Sequence, residues 1–285
     1  MFIECFPFSN VVNDGRATIN FANLLGYTIE YILLELGTSG GVALTKAQMT
    51  ALDIKANGKT ILSDTGARTD SRMKYRGETA SDSYLVLAFD ESRARTEQRG
   101  FTAGGQPNVI DGEKIGAIDT TFGIQSLTGE VLIAGANAPT LKAYAEVSAA
   151  PIPDTRFRGL IAKTLNYTVS PAAAGTFPFE IPYGRQAGSI IKRIFLFGST
   201  VTGYEVKKNG ITIQKVASAA LNAYIETREG RVPQSNIQCI DFIKDGNQSS
   251  ALNAADAQTM EFYLTVSGSG NVTIVVELYD PLNNN

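Results

Sequence analysis

Apolar and polar residues alternate along most of this chain, in short runs separated by turn-forming residues. One segment occurs twice: Leu52–Leu62 reads LDIKANGKTIL and Tyr204–Gln214 reads YEVKKNGITIQ. Aligned on their Asn-Gly pairs, five of the eleven positions are identical. Asn-Gly favours the positive φ angles of a type I′ turn, and the alternation on either side buries one face of a sheet. Each copy is therefore predicted to be a β-hairpin.

The rest of the first half contains further strand-like runs. These runs predict strands over Ala17–Leu25, Tyr27–Leu36, Tyr84–Phe89, Ile118–Gln125, Glu130–Ala134 and Thr140–Val147. Thr45 and Gln48 have the spacing of a capping box, which predicts a short helix that continues through Ala51. Residues 1–15 are predicted to form an irregular arm or a short edge strand. The polar segment Ser63–Ser83 is predicted to contain one or two helical turns.

The second half begins after a predicted linker, Ser148–Asp154, whose two prolines favour an extended connection. Its strands are predicted over Leu160–Val169, Phe177–Ile181, Ile190–Phe197, Ile237–Ile243, Thr259–Val266 and Val272–Tyr279. A helix is predicted within Lys215–Glu229, with Ser218 as its N-cap. Leu221, Tyr224 and Ile225 follow the i, i+3, i+4 spacing of one helix face, which predicts that this face is buried.

The two halves present these elements in the same order, which indicates an internal duplication. Each is predicted to end in a late hairpin whose last strand carries an acidic residue, Glu146 or Glu277. A length of 285 residues suits two domains, and we place them at 1–150 and 151–285. About eight short strands in each half predict two sheets packed face to face.

The predicted fold class is all-β, with two tandem eight-stranded jelly rolls and short helical insertions. Immunoglobulin-like sandwiches are the rival architecture, but their Cys–Trp–Cys pattern is missing.

Composition limits the function. Apolar residues make up 44% of the chain and charged residues 19%, as in a globular protein. The net charge of −3 argues against a protein that grips nucleic acid, so no sequence-specific nucleic-acid binding is expected. The chain has no apolar run of about 20 residues and no evident signal peptide. We therefore expect a soluble protein that is made in the cytoplasm.

Reactive groups are scarce, because the chain contains no His at all. This removes the usual general base near neutral pH and the commonest metal ligand. Asp90 and Glu91 have the chemistry of a glycosidase pair, although carboxylates that end a strand in solvent are the commoner case. Asp64, Asp70 and Asp82 carry oxygen ligands suited to Ca²⁺, in a spacing that matches no EF-hand.

The chain also carries two clusters of basic residues. Arg93, Arg95 and Arg99 lie in the long Gly-rich segment after Asp90, which is predicted to be an interaction loop because loops of that length are uncommon in compact domains. This cluster has the charge to bind phosphate, but a solvated loop, or a loop that pairs with an acidic neighbouring subunit, is the commoner case. The second cluster is interpreted as a solvated face: Arg68, Arg72, Lys74 and Arg76.

The two cysteines fit no metal or redox spacing, and we interpret Cys5 as a free thiol and Cys239 as a core residue. No catalytic, cofactor-binding or metal-binding residue is predicted.

Five segments resemble the double jelly-roll major capsid proteins of icosahedral viruses, and within these the corticovirus type from membrane-containing bacteriophages. The matching segments are Tyr27–Leu36, Asp53–Leu62, Pro182–Phe197, Glu205–Ile213 and Val272–Tyr279. The segment Ser63–Ser83 and the long loop after Asp90 depart from the resemblance. The resemblance implies a capsid subunit without enzymatic activity or cofactor.

It also implies pseudo-hexameric homotrimers that tile an icosahedral shell around an internal membrane. The implied partners are neighbouring trimers together with vertex (penton) and minor capsid proteins. The implied location is the virion capsid, assembled in the host cytoplasm. The alternative is a non-viral two-domain β-sandwich that binds carbohydrate or acts as an adhesin. The absence of Trp and of an export signal counts against that alternative. An enzyme ranks third, because jelly-roll enzymes generally hold a metal through His.

Overall fold

A computed structural model describes the chain over residues 1–40, 43–78, 81–91, 94, 97–101, 107–110, 114–149, 159–186 and 188–284. The chain divides into two compact units. The first unit comprises Met1–Met73, Ala80–Lys163 and Pro281–Asn283. The second unit comprises Lys74–Thr79, Thr164–Asp280 and Asn284–Asn285. Most of the predicted linker lies outside the described residues.

The first unit is built from antiparallel strands. They are β1 (Phe2–Glu4), β2 (Arg16–Asn20), β3 (Thr28–Thr38), β4 (Met49–Ala56), β5 (Lys59–Asp64), β6 (Tyr84–Ala88), β7 (Glu97–Phe101), β8 (Pro107–Ile110), β9 (Ile118–Asp119), β10 (Leu127–Ile133) and β11 (Pro139–Ser148). One sheet has the order β1-β11-β3-β6, with β9 also paired to β3. The strands of this unit in the other sheet have the order β5-β4-β10-β2. Among the described strands, β7 and β8 pair only with each other.

The second unit repeats this arrangement. Its strands are β12 (Leu160–Val169, in this unit from Thr164 onward), β13 (Gly175–Phe179), β14 (Ile190–Phe197), β15 (Val201–Lys208), β16 (Ile211–Val216), β17 (Ile237–Asp241), β18 (Met260–Val266) and β19 (Val272–Pro281). Its two sets of four strands have the orders β17-β14-β19-β12 and β13-β18-β15-β16.

The two units share one strand topology. Setting aside β7, β8 and β9, each unit has eight strands among its described residues, and the first, third, sixth and eighth form one sheet while the second, fourth, fifth and seventh form the other. Even the order within each sheet is the same, with the eighth strand between the first and the third. This is the jelly-roll arrangement, so the predicted fold class of two tandem jelly rolls is confirmed.

The twin hairpins are the most similar parts of the two units. Asn57 and Gly58 have φ angles of 50° and 77°, and Asn209 and Gly210 have φ angles of 52° and 77°. The register between the two strands shifts after Ile54 in the first hairpin and after Val206, its equivalent, in the second. Both turns and both bulges therefore occupy matching positions, and the predicted hairpins are confirmed.

One helix follows the fifth strand of each unit: α1 (Gly66–Tyr75), whose last two residues belong to the second unit, and α2 (Ala219–Arg228). Helix α1 is longer than the one or two turns predicted. The predicted N-cap of α2 is confirmed, because the Ser218 side chain accepts a hydrogen bond from the Leu221 backbone N–H.

The buried face of α2 was predicted wrongly at Leu221 and Tyr224, which are exposed, whereas Ile225 is partly buried against the core. The buried residues of α2 are Asn222 and Glu226.

Two other predictions are wrong because each assigned too much structure to a short sequence signal. The Thr45 capping box exists, but it starts only a 3-10 turn, Lys46–Gln48, because Met49 enters β4 and pairs with Ile133. The late hairpins are also wrong. Strands β10 and β11 lie in different sheets, as do β18 and β19, because the closing strand of a jelly roll crosses from one sheet to the other.

Alternation explains which faces are buried. Strands β10 and β11 bury every second residue, as expected when only one sheet face meets the core. Strands β14 and β19 are buried almost throughout. One face of these two strands joins the core of the second unit, and the other packs Phe195 and Val275 with Tyr75. The apolar run Ile190–Phe197 thus forms the buried strand that was predicted.

We predict that Gly58→Val and Gly210→Val each lower the free energy of unfolding by about 1 to 3 kcal/mol. The cause is the positive φ, which is unfavourable for a β-branched residue, because an added Cβ would meet no atom within 4 Å at either position. Urea denaturation measures the effect. Thr60→Val in β5 is the control and should change stability little. Equal stability of the glycine variants and the control would contradict the turn geometry.

Candidate functional site

No cluster of three or more acidic or sulfur ligands able to hold a metal occurs among the described residues. The three aspartates considered for Ca²⁺ do not converge. Asp64 accepts a 2.5 Å hydrogen bond from Arg68 Nε and lies 3.1 Å from Arg72 Nε. Asp70 is paired with Lys46, and Asp82 is exposed. The carboxylates of Asp64 and Asp70 are thus already neutralised by cations of the chain.

The interpretation of the Arg68–Arg76 cluster as a solvated face is wrong. Arg72 and Arg76 are only 2% and 3% exposed. The side chain of Asp64 is fully buried at the end of β5, and the guanidinium groups of Arg68 and Arg72 reach it from α1. These ion pairs attach the helix to the strand that precedes it, so the cluster has a structural role.

Of the other candidate residues, only part lies within the described structure. Glu91 is 4% exposed rather than solvated, and its backbone carbonyl accepts a hydrogen bond from the Ala94 N–H. Arg93 and Arg95 lie outside the described residues, as does the side chain of Arg99.

The second unit contains a buried ionic cluster that the sequence analysis missed. Arg193 on β14 is fully buried, and its guanidinium lies 3.1 Å from both Asp241 Oδ2 and Glu277 Oε2. These carboxylates come from β17 and β19, the strands on either side of β14. Arg231 forms a further ion pair with Asp241 at 3.2 Å. The signal was available, because Arg193 is a charged residue inside a predicted buried strand.

The charges of this cluster pair with one another, as in a structural ion-pair network. Two cations balance two carboxylates, and the Tyr75 hydroxyl donates a 3.2 Å hydrogen bond to Asp241. Removing one member of a buried ionic cluster costs about 3 to 5 kcal/mol, because the remaining charge loses its compensation. Burial and the nearby Asp241 carboxylate hold the Tyr75 pKa well above its ordinary value, so the phenol stays protonated.

Beside this cluster, helix α2 presents a buried polar face. Glu226 Oε1 accepts hydrogen bonds from Asn222 Nδ2 at 2.7 Å and from the Cys239 backbone N–H at 3.3 Å. The Tyr204 hydroxyl lies 3.1 Å from Asn222 Oδ1. Burial raises the Glu226 pKa to about 7. Glu226 lines a cleft of about 270 Å³ together with Asn222 and Gln238.

Among the described residues, the lining of the cleft includes no cysteine and no second carboxyl group. Cys239 is the nearby thiol, and burial together with the Asp241 charge raises its pKa well above the ordinary value, which suppresses the reactive thiolate. Cys5 is likewise buried, with a pKa raised to about 12. Both cysteines are free thiols, and Cys239 is in the core as predicted. One protonated carboxyl without a nucleophile or a second base offers no acid–base pair.

Several large apolar residues are exposed on the surface. On β16, Ile211 and Ile213 are 70% and 43% exposed, whereas Ile61, the equivalent of Ile213 in the first unit, is fully buried. At the start of the chain, Met1, Phe2 and Phe6 are about half exposed. Among the described residues, no helix combines the length and apolar character needed to cross a bilayer.

Comparison with known proteins agrees with this topology. The chain is similar over its whole length to the major capsid protein P2 of bacteriophage PM2, with 19% identity, coverage of 100% of this chain and 99% of that one, and a TM-score of 0.82. The major capsid protein of Sulfolobus turreted icosahedral virus is 15% identical over 98% of this chain and 96% of its own, with a TM-score of 0.66. The capsid of the virus PBCV-1 is 13% identical over 98% of this chain and 92% of its own, with a TM-score of 0.60.

These structural likenesses show the shared double jelly-roll fold. None of the curated proteins compared with the sequence matches it. The family is shown by two domain models, which match residues 2–148 as the viral coat protein P2 N-terminal domain and residues 161–282 as the viral coat protein P2 C-terminal domain. The chain therefore belongs to the viral coat protein P2 family, and its place is the coat of the virion.

Proposed function

We propose that this coat protein works as a homotrimer whose three copies present six similar jelly rolls around a threefold axis. The observation that carries the proposal is the duplication: both units have the same strand order, the same turn and the same bulge. Closed oligomers usually follow point-group symmetry, and three chains of two similar units give a near-sixfold outline. Such a pseudo-hexameric unit can tile the flat parts of an icosahedral shell.

The same geometry implies further partners. A near-hexagonal trimer does not fit fivefold positions, so a separate vertex protein is expected there, with minor proteins between neighbouring trimers. The exposed apolar residues at the start of the chain, within Phe2–Phe8, suit the base of the trimer beside a neighbour or an internal viral membrane. We place the two functional domains at 1–150 and 151–285, which agrees with domain-model matches that end at 148 and resume at 161.

We also propose that the chain has no enzymatic activity. Among the described residues, neither the ion pairs of Asp64 and Arg193 nor the buried Glu226 carboxyl combines a nucleophile with a base. Glu226 then serves to position α2, because it bonds both the helix residue Asn222 and the backbone of β17 at Cys239.

Native mass spectrometry of the purified protein tests the oligomer. We expect a species of three times the 30.5 kDa chain mass, and six-sided particles of the same protein in electron micrographs. Stable interfaces in such an assembly should bury upwards of about 2,000 Å² in total. A persistent monomer at concentrations well above micromolar would contradict the proposed homotrimer.

A second prediction follows from the structural role of Glu226. Its folded pKa of about 7 exceeds the ordinary value of 4.5, so the folded protein binds the extra proton between these values. The contribution to stability is therefore greatest below about pH 4.5 and is lost as the pH rises to about 7. Glu226→Gln keeps an acceptor for the two hydrogen bonds and has no charge to bury.

We expect Glu226→Gln to be about 1 to 3 kcal/mol more stable than the wild type at pH 8, with the difference shrinking towards pH 5. Denaturation across this pH range measures it. Glu229→Gln, which neutralises a partly exposed carboxyl just past the end of the same helix, is the control for the change in net charge. A destabilised Glu226→Gln at pH 8 would show that the ionised carboxylate is needed.

A further inference from the structure

The fifth strands of the two units differ in exposure although they match in sequence and geometry. In the first unit, Ile61 is fully buried, and Lys59 Nζ donates a 2.9 Å hydrogen bond to the carbonyl of Asn283. The equivalents in the second unit are Ile213 and Ile211, at 43% and 70% exposure. Because the turn and the bulge are the same, the local fold does not cause the difference. The difference therefore comes from the surroundings of the two strands, since Ile61 is covered within the chain and Ile213 is not.

Strand β16 is also the last strand of its sheet among the described strands. Exposed edge strands present unpaired backbone groups, and monomeric proteins usually protect them with charges, prolines or bulges. Here the edge carries two isoleucines within three residues. Its bulge lies beside Ile213, but it leaves this side chain on the surface. An apolar strand edge of this kind is typical of a surface that another chain covers.

We propose that the edge of β16, at Ile211 and Ile213, binds the first unit of a second copy of this chain, at the exposed apolar segment Met1–Phe6. The proposal rests on the homotrimer proposed above. In a ring of three two-unit chains, each second unit is followed by the first unit of the next copy. The neighbouring chain would then supply the cover that Ile61 finds within its own chain.

The first unit offers a matching surface. Met1, Phe2 and Phe6 are 56%, 53% and 50% exposed. Strand β1 is itself the end of its sheet, with β11 as its neighbour on the inner side. Two apolar edges of this kind suit each other, because strand addition at a sheet edge gains main-chain hydrogen bonds as well as apolar burial. Strand β1 also holds the position in its unit that β12 holds in the second, next to the eighth strand.

The test compares two double variants of the full chain by sedimentation over a dilution series. Ile211→Ser with Ile213→Ser removes the proposed contact. Leu221→Ser with Tyr224→Ser is the matched control, because these residues are 43% and 68% exposed on α2 of the same unit. We expect the first pair to raise the concentration of half-dissociation at least about tenfold and the control pair to leave it near wild type.

A cross-linking experiment reports the contact without relying on that variant. Phe2→Cys and Ile213→Cys in one chain should give covalent dimers and trimers with a short bismaleimide, and each single variant should not. The native Cys5 and Cys239 are 8% and 2% exposed, so they react slowly.

If the wild type is a trimer but the isoleucine variant dissociates at the same concentration, this contact is overturned and the homotrimer is not. The same holds if the double-cysteine variant gives no covalent dimers or trimers. A wild-type monomer overturns both.

Discussion

One asparagine side chain in each unit fixes the geometry of three strands. Asn57 Oδ1 accepts the backbone N–H groups of Gln125 and Ser126 at 2.8 and 3.1 Å. Asn209 Oδ1 does the same for Gln258 and Thr259 at the same distances. The acceptor sits in the turn between the fourth and fifth strands, and the donors lead into the seventh. Turn closure and the placement of the seventh strand therefore depend on one left-handed residue, which explains why Asn-Gly marks the duplication.

Around this shared frame the units use different means to bury charge. In the first unit Asp64 binds Arg68 and Arg72, so that α1 is attached at the end of β5. In the second unit Arg193 joins the carboxylates of β17 and β19 across the middle of a sheet. A misplaced strand in that sheet would leave a charge unpaired in the interior. Buried charges of this kind add little net stability but strongly penalise wrong arrangements, which suits a subunit that must fit many neighbours.

The sequence was sufficient wherever the cause was local. Asn57-Gly58 and Asn209-Gly210 carry their turn chemistry in two residues, and alternation identified the strands around them. The failures share a non-local cause. Helix α2 turns Glu226 inward because the backbone N–H of Cys239, thirteen residues away, needs an acceptor. Ile61 and Ile213 are the same residue in the same motif, yet only Ile61 is buried, because burial depends on distant segments that the motif itself does not contain. The absence of a catalytic site remains a prediction.

The account depends on the two units acting as equivalent parts of one coat. The most direct measurement is an electron cryomicroscopy map of the assembled protein at a resolution that shows side chains. The account predicts three chains around each threefold axis, with six hairpin turns in equivalent positions and each asparagine oxygen bonded to the segment before the seventh strand. A ring in which only one kind of unit surrounds the axis, or in which the two turns differ in structure, would contradict it.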